Sequence, residues 1–270
     1  MQFVDTHCHI HSAGNVAGER STGQIWAKDP TLTGELLVNS AVREGVTKMI
    51  CVGCDLADSK LAVEFVQQHA ETWASIGIHP HEAQHYVNQA ALRSDFAALV
   101  AANKVVAVGE CGLDYFYEHS PKADQITVLT FQIELAIAHK LPLIFHVREA
   151  FDDFWPIFDQ YNGIRGVLHS FTDNKVNLDK AIERNLYIGV NGIATFTKNV
   201  SQLEVYRAIP LSKLLLETDA PFLTPTPYRG TINQSKQVKT IAEYLAKLRV
   251  ENLDQLASVS TSNAYDLFGI

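Results

Sequence analysis

Two histidines lie two residues apart in the strand-like stretch Phe3–His9, close to the start of the chain. Because side chains alternate between the two faces of a strand, His7 and His9 point the same way, with Asp5 below them on that face. Neutral imidazoles are common metal ligands, so two of them on one face can form part of a metal site. A His-x-His pair also occurs by chance, and the metal hypothesis therefore needs ligands from other strands.

Four further candidate ligands each close a stretch that is otherwise apolar. In a β/α barrel the carboxyl ends of the strands converge on one face, where active sites lie. Singly, each residue could be a buried core histidine, a helix cap or an ion-pair partner, but those roles do not explain why all four end their strands. Together with the histidine pair they exceed what one catalytic ion needs, which predicts two divalent ions bridged by Glu110. The four residues are Glu110, His146, His169 and Asp219.

Two more carboxylates are predicted to lie beneath the ligands. Glu217 is on the same face as Asp219 by alternation, and Asp5 stands in the same relation to His7. A buried carboxylate needs a polar partner, so we expect both residues to orient a metal ligand.

Four basic or imidazole side chains are candidates for substrate contact. His79 and His81 end the third strand and can reach the substrate, or they are solvated loop histidines. Arg148 and Arg229 have the fork geometry that binds phosphate, although surface arginines are common.

The spacing Cys51-x-x-Cys54 is that of a redox or zinc pair. The chain has no second pair to complete a zinc knuckle, and Cys51 lies in an apolar strand. We interpret the pair as structural, because buried cysteine behaves as a small apolar residue. Alternation points Cys8 and Cys111 away from the ligand face, which disfavours either as a nucleophile.

Eight apolar strand-like stretches alternate with helix-like segments along the chain. Repeated strand–helix units imply parallel pairing, and eight units favour a closed barrel over an open doubly wound sheet. No Gly-x-Gly-x-x-Gly follows the first strand, so a dinucleotide-binding sheet lacks its main support. We predict an α/β fold, a TIM-type (β/α)8 barrel with possible deformation, formed by residues 1–270 as a single domain. The predicted strands are Phe3–His9, Thr47–Gly53, Trp73–Ile78, Val105–Glu110, Pro142–Val147, Gly166–Ser170, Leu186–Val190 and Lys213–Asp219.

A long polar stretch, His11–Pro30, leaves directly from the histidine pair. It is too irregular for a helix before about Leu32, and a loop of this length in a compact domain is functional or disordered. We predict that it covers the substrate groove. The helices are predicted at Thr33–Glu44, Ser59–His69, Leu92–Ala102, Asp124–His139, Phe151–Tyr161, Val176–Arg184, Asn233–Leu248 and Asn252–Leu267.

The composition constrains the partners and the compartment. A net charge of −8 and a pI of about 5.7 argue against a generic basic surface for nucleic acid, but bound divalent ions can reverse the local sign. The chain has no apolar run of roughly 18 residues and no basic-then-apolar signal at its start. Four cysteines are too few for a disulfide framework. We expect a cytoplasmic protein that does not associate with membranes, and we infer no obligate protein partner.

Six short motifs follow one another through the whole chain, and Asn263-Ala264 fits with them. They are Asp5–His9, Gly77–His81, Gly109–Tyr115, His146–Arg148, His169–Phe171 and Leu216–Pro221. In these motifs the sequence resembles the TatD family of metal-dependent deoxyribonucleases, a branch of the amidohydrolase-like barrels. The resemblance implies a deformed β/α barrel, a divalent-metal site and hydrolysis of DNA phosphodiesters, typically from the 3′ end. It assigns the metal to His7, His9, Glu110, His146, His169 and Asp219.

Two stretches depart from the family pattern, and both flank the predicted mouth of the site. The loop His11–Pro30 is longer than is usual after the first strand, and Arg229–Ser235 lacks the Glu-Pro expected after its asparagine. These departures leave the substrate range open.

The resemblance leads us to predict a 3′–5′ exodeoxyribonuclease that acts on single-stranded DNA or 3′ ends with two divalent ions, Mg²⁺ or Mn²⁺, with Zn²⁺ as an alternative. An activated water would attack the phosphate in line, and Asp219 would accept its proton while His79 and Arg148 hold the phosphate. Asp219 and Glu110 are the predicted catalytic residues. The alternatives are a metal-dependent amidase or lactonase on the same barrel, and a non-catalytic metal-dependent binding module.

Overall fold

The computed structural model describes residues 1–14, 21–117 and 119–270 of the chain. Within this part, eight strands form one sheet, in which every strand pairs in parallel with the next strand along the chain. The predicted barrel is confirmed. The strands are β1 (Phe3–Cys8), β2 (Val46–Val52), β3 (Thr72–Ile76), β4 (Val105–Asp114), β5 (Leu143–Arg148), β6 (Gly166–Leu168), β7 (Tyr187–Val190) and β8 (Leu214–Leu216).

The barrel closes between β1 and the segment that follows β8. Cys8 forms a parallel bridge with Ala220, and the backbone N–H of His9 donates to the carbonyl of Ala220 at 2.8 Å. The backbone N–H of Asp219 donates to the carbonyl of His7 at 2.8 Å. The bonds that close the barrel therefore place His7, His9 and Asp219 side by side.

Ten α-helices are described, and most of them connect consecutive strands. Polar caps define several of their starts: Thr33 accepts from the backbone N–H of Leu36, and Asn252 accepts from that of Gln255. The helices are α1 (Ser21–Trp26), α2 (Gly34–Arg43), α3 (Leu56–Gln68), α4 (Ala90–Ala98), α5 (Lys122–His139), α6 (Phe151–Phe158), α7 (Lys175–Glu183), α8 (Val200–Ala208), α9 (Val238–Arg249) and α10 (Leu253–Phe268).

Six short 3-10 segments supplement these helices in the described ranges. Four of them lie between the end of a strand and the helix that follows it, on the side of the barrel that carries the polar strand ends. They are Ile10–Ser12, Pro80–His85, Leu99–Ala101, Gly192–Thr195, Leu211–Lys213 and Ser235–Gln237.

The apolar side chains form two clusters. The larger one lies between the sheet and the helices, as expected for strands covered by helices on the outside of a barrel. The smaller one draws on six different strands around the ring, so it fills the barrel interior, and the end of α10 joins it through Leu267 and Phe268. Burial on both faces explains why these strands read as continuous apolar runs in the sequence.

Two helices were not predicted. The interpretation of His11–Pro30 as free of helix is wrong at α1, although residues 15–20 of that loop lie outside the described residues. Trp26 is buried and its indole N–H lies 3.2 Å from the carbonyl of His9, so a tertiary contact stabilises a segment that has no apolar periodicity. Helix α8 was also missed, because its polar sequence Val200–Ala208 buries only one face.

Candidate metal centre

Five predicted ligands converge where β1 meets the end of β8. Nε2 of His7 lies 3.4 Å from Oε2 of Glu110 and 3.6 Å from Oδ1 of Asp219. Nε2 of His9 lies 3.4 Å from the same Asp219 oxygen. Nε2 of His169 lies 3.8 Å from Oε1 of Glu110 and 3.9 Å from Oδ1 of Asp219. The structure thus brings together residues that are more than 200 positions apart in the chain.

These separations fit atoms that share a metal ion. With metal–ligand bonds of about 2.0–2.2 Å, ligand atoms at octahedral or tetrahedral angles lie about 2.8–3.6 Å apart. The distances from His7 to Glu110 and from His9 to Asp219, both 3.4 Å, match this range and exceed a normal hydrogen bond. Nε2 of His7 is buried with no hydrogen-bond partner in the described ranges, and a bound ion would satisfy it. The residues present therefore fit a divalent metal.

A second group of possible ligands shares Glu110. Nδ1 of His146 lies 2.8 Å from Oε1 of Glu110, and Nε2 of His79 lies 3.8 Å from that oxygen. One ligand atom from each of these three residues lies within 4.8 Å of the others, as also holds for His7, His9 and Glu110. Glu110 is thus placed between two groups, which is the position of a bridging carboxylate. His79 was predicted only to contact substrate. Its Nε2, however, lies as close to Oε1 of Glu110 as Nε2 of His169, a predicted ligand, does.

Three of the histidines have one ring nitrogen close to an acceptor outside the centre. Nδ1 of His9 lies 2.8 Å from the carbonyl of Val52, and Nδ1 of His169 lies 2.9 Å from Oε2 of Glu217. When the imidazole is neutral, each acceptor holds the remaining proton on the outer nitrogen, which leaves the lone pair of the inner nitrogen for an ion in the centre. Glu217 therefore lies beside His169, and its role in orienting this histidine stays a prediction.

The corresponding acceptor for His146 is Asp114, which was not predicted as a site residue. Its Oδ2 lies 2.9 Å from Nε2 of His146 and 3.1 Å from Nε2 of His81. Its Oδ1 accepts the backbone N–H groups of Phe116 and Tyr117, each at 3.0 Å. Strand β4 runs four residues beyond Glu110, so alternation along this longer strand would have placed Asp114 on the ligand face.

Asp5 contacts the backbone and not the ring of His7. Its two carboxylate oxygens accept the backbone N–H of Thr218 at 2.9 Å and its hydroxyl at 2.6 Å, and Oδ1 lies 3.4 Å from the backbone nitrogen of His7. Burial raises the pKa of Asp5 to about 7 despite these donors. Asp5 therefore positions the segment that carries Asp219, which has φ of +59°. Such a conformation is costly outside glycine and is found mainly at functional sites.

The imidazoles and carboxylates of the centre shift one another's pKa values. Burial alone would raise the pKa of Glu110, but the neighbouring histidines, with His169 first, hold it well below its usual range. Burial alone would lower the pKa of His146, but Asp114 and Glu110 raise it to about 9. Burial alone would also lower the pKa of His169, but Glu217 and Glu110 raise it to about 9. Both imidazoles therefore hold protons at neutral pH that a bound ion would displace.

Two glycines allow the close packing of the centre. A Cβ at Gly189 would lie 2.1 Å from Oε1 of Glu217, and a Cβ at Gly112 would lie 1.8 Å from the backbone oxygen of His146. Gly112 also has φ of +152°, which other residues rarely adopt. No larger residue fits at either position without displacing a residue of the centre.

The centre opens into a cleft of about 900 Å³. Ser12, Thr22 and Gly23 line this cleft, so both described flanks of the loop predicted as a lid border the site. Its role as a lid stays a prediction, because residues 15–20 lie outside the described ranges.

Arg148 and Arg229 have different positions. Arg148 lines the cleft, and its guanidinium lies 4.0 Å from the ring centroid of Phe116 and 4.9 Å from that of Tyr117, both of which are half exposed. Arg229 donates to the carbonyl of Thr224 at 2.7 Å and is not among the residues that line the cleft. The structure therefore places one of the two predicted phosphate-binding arginines beside the centre.

Comparison with known proteins agrees with this geometry. The sequence profile of the family described as "TatD related DNase" matches residues 4–269. The chain belongs to the TatD family. YabD of Bacillus subtilis (strain 168), named an uncharacterized metal-dependent hydrolase, is 36% identical over 273 residues, and the alignment covers 99% of each chain. The "3'-5' ssDNA/RNA exonuclease TatD" of Shigella flexneri serotype 5b (strain 8401) is 31% identical over 262 residues, with 94% of this chain and 98% of that protein covered.

Solved structures place the fold in the same family. YJJV, a TatD homologue from Escherichia coli K12, superposes with a TM-score of 0.86 at 26% identity, covering 99% of this chain and 98% of that one. The chain is thus a TatD-family metal-dependent hydrolase with a TIM-type barrel. Within the part of the chain that the structure describes, no helix has both the length and the apolar character to cross a membrane.

Proposed function

We propose that this TatD-family chain is a two-metal phosphodiesterase that removes nucleotides from the 3′ ends of DNA. The observation that carries the proposal is the position of Glu110, which belongs both to the group with His7 and His9 and to the group with His79 and His146. Two ions bridged by one carboxylate suit in-line displacement at a phosphate, where both the entering and the leaving oxygen need stabilisation. The name of the Shigella flexneri relative supports 3′–5′ polarity and a nucleic-acid substrate.

Two divalent ions, Mg²⁺ or Mn²⁺, would be held by His7, His9, Glu110, His146, His169 and Asp219, and would supply Lewis acidity toward the phosphate and toward the attacking water. Zn²⁺ is the alternative, since four imidazoles also suit that ion.

Asp219 would accept the proton of the attacking water. Its side chain is 16% exposed and lines the cleft, whereas that of Glu110 is 5% exposed and lies between the two ligand groups. Burial alone would raise the pKa of Asp219, but His9 and His169 lower it below its usual value, so the carboxylate is ionised at neutral pH. Its position at the cleft surface is what a general base requires.

His79 and Arg148 would hold the substrate phosphate, and the exposed rings beside Arg148 would contact the bases. Phe116 is 49% exposed and Tyr117 is 50% exposed, so the two adjacent rings have faces that a substrate can reach. Aromatic rings stack on nucleobases with little sequence preference. The same edge of the cleft can therefore bind both the backbone and the bases of a single strand.

The test is digestion of single strands labelled at the 3′ or the 5′ end. Removal of metal with a chelator should abolish release of the 3′ label, and Mg²⁺ or Mn²⁺ should restore it. Asp219→Asn should lower kcat by at least about 100-fold, as expected for loss of a general base. Asp159→Asn is the matched control, because that exposed carboxylate pairs with Arg184 far from the ligand groups.

Four results would contradict the proposal. Full activity in chelator would exclude the metals, early release of the 5′ label would reverse the polarity, and turnover of lactones or amides in place of DNA would indicate the alternative hydrolase. DNA affinity without turnover would instead indicate a binding module.

A further inference from the structure

A second set of possible metal ligands lies beside the TatD centre, which is the group formed by His7, His9, Glu110, His146, His169 and Asp219, and two of its three members have no part in the proposed chemistry. It consists of His9, Cys54 and Asp58, whose ligand atoms, one from each residue, lie within 4.8 Å of one another. All three residues line the cleft, so an ion can reach them. We infer that these three side chains form a site for a thiophilic divalent ion such as Zn²⁺ or Cd²⁺.

Short loops after β1 and β2 bring the three residues together. Cys54 lies two residues beyond the end of β2, and Asp58 lies in the first turn of α3. Gly53 allows this approach, because a Cβ there would lie 2.7 Å from the Cα of Ser59. The start of α3 therefore packs against the end of β2. This strand pairs with β1, which ends next to His9.

Backbone and side-chain contacts hold the donors in place. The backbone N–H of Cys54 donates to Oδ2 of Asp58 at 3.0 Å, and the carbonyl of Cys54 accepts the backbone N–H of His79 at 2.8 Å. Oδ1 of Asp58 lies 3.2 Å from Nε2 of the buried His11. A carboxylate ligand oriented by a histidine and a backbone amide is typical of metal sites whose ligands are supported by hydrogen bonds.

The donor set differs in chemistry from that of the TatD centre. A thiolate, an imidazole and a carboxylate are zinc ligands, and three of them leave a fourth tetrahedral position for water. Mg²⁺ and Mn²⁺ prefer oxygen ligands and gain little from a thiolate. The site is therefore selective for thiophilic ions over Mg²⁺ and Mn²⁺.

His9 belongs to both sets of ligands, which couples them. A neutral imidazole has one lone pair, so His9 can coordinate one ion at a time. A thiophilic ion on Cys54 and Asp58 would compete with the ion beside His7 and Asp219 for that lone pair. Excess Zn²⁺ or Cd²⁺ would then displace the Mn²⁺ or Mg²⁺ that His9 helps to hold.

The test is a titration of the metal-free full-length protein with Cd²⁺, followed by the ultraviolet charge-transfer absorption of the cadmium–sulfur bond. We expect the wild-type signal to saturate and Cys54→Ser to lose it. The cadmium affinity attributable to the thiolate should fall by at least about 100-fold, since even residues that only orient ligands cost 10–100-fold. Cys51→Ala is the matched control, because this buried thiol three residues earlier should leave the signal intact.

A second measurement uses only the wild-type protein, in case a variant fails to fold. Burial raises the pKa of the Cys54 thiol to about 12, so iodoacetamide should alkylate it only during long incubation at alkaline pH, and Cd²⁺ but not Mg²⁺ should protect it there, as read by peptide mass spectrometry. Equal alkylation with and without Cd²⁺, or a charge-transfer signal that persists in Cys54→Ser, would overturn the inference. Neither readout depends on DNA hydrolysis, so the outcome is separate from that of the proposed function.

Discussion

Asp114→Asn tests whether the carboxylate beyond Glu110 sets the metal affinity of His146. The asparagine oxygen can keep the two backbone hydrogen bonds that Oδ1 accepts, each at 3.0 Å, so the turn after β4 is retained. The amide nitrogen takes the place of Oδ2, 2.9 Å from Nε2 of His146. That nitrogen donates and does not accept. Nε2 of His146 must then accept a hydrogen bond, and its ring proton moves to Nδ1.

The moved proton lies on the nitrogen that faces the centre, because Nδ1 of His146 is 2.8 Å from Glu110. A protonated Nδ1 cannot coordinate a metal. Loss of an acceptor that orients a metal-bound histidine typically lowers metal affinity by about 10–100-fold. This range corresponds to about 1.4–2.7 kcal/mol of binding free energy. We expect a loss in this range for one ion and a smaller loss for the other.

Calorimetric titration of the metal-free protein with Mn²⁺ measures this loss. Asp153→Asn is the matched control, because that carboxylate accepts the Tyr115 hydroxyl at 2.8 Å near the same turn and has no imidazole partner in the described residues. A thermal melt of each metal-free variant shows whether the turn is intact. Affinities of Asp114→Asn within twofold of wild type would refute the assigned tautomer and, with it, the role of Asp114.

Three further predictions follow from the same contacts. Because the pKa values of His9, His146 and His169 are all raised without metal, those of the last two to about 9, Mn²⁺ uptake at pH 7 should release at least about two protons, and affinity should rise with pH up to about 9; calorimetry in buffers of different ionisation enthalpy measures both. A pH-independent affinity between 6 and 9 would contradict these pKa directions. Gly189→Ala should push Glu217 from His169 and weaken metal binding by about 10–100-fold without removing a ligand; unchanged metal affinity would argue against this packing. Arg148→Ala should raise KM for oligonucleotides by about 10-fold or more and leave Mn²⁺ affinity unchanged; an unchanged KM would remove Arg148 from the substrate site.

Periodicity along strands was enough to predict much of the centre, because a metal site at one end of a barrel needs polar residues at apolar strand ends. His7, His169 and Asp219 were predicted in this way and lie together, although their role as ligands stays a prediction. Asp114 was missed because β4 was expected to end at Glu110, whereas it continues to Asp114. The residue at which a strand ends depends on its pairing with the neighbouring strand, which is β5 here. Local sequence does not encode that pairing.

Tertiary contacts account for the remaining differences. Helix α1 exists because Trp26 packs in the core beneath the carbonyl of His9, a contact that no local pattern predicts. Cys54 was interpreted as structural together with Cys51, yet only Cys51 is fully buried and Cys54 lines the cleft. Strand alternation continues only to the last paired residue, so it cannot assign a loop residue to a face. Cys54 lies in such a loop, two residues beyond the end of β2, so its position at the cleft became evident only in the structure.

The closure of the barrel and the assembly of the metal centre depend on the same short segment. Thr218 donates twice to Asp5 in β1, and the next residue, Asp219, donates its backbone N–H to His7 while its side chain faces His9. Asn233 adds a second support, since its side-chain amide donates to the carbonyl of Thr218 at 2.8 Å. A change that opens the seam between β1 and β8 would separate the ligands before it exposed the core. Metal binding, which joins residues across this seam, must in turn stabilise the closed barrel, because an ion that binds only the folded site shifts the equilibrium toward it.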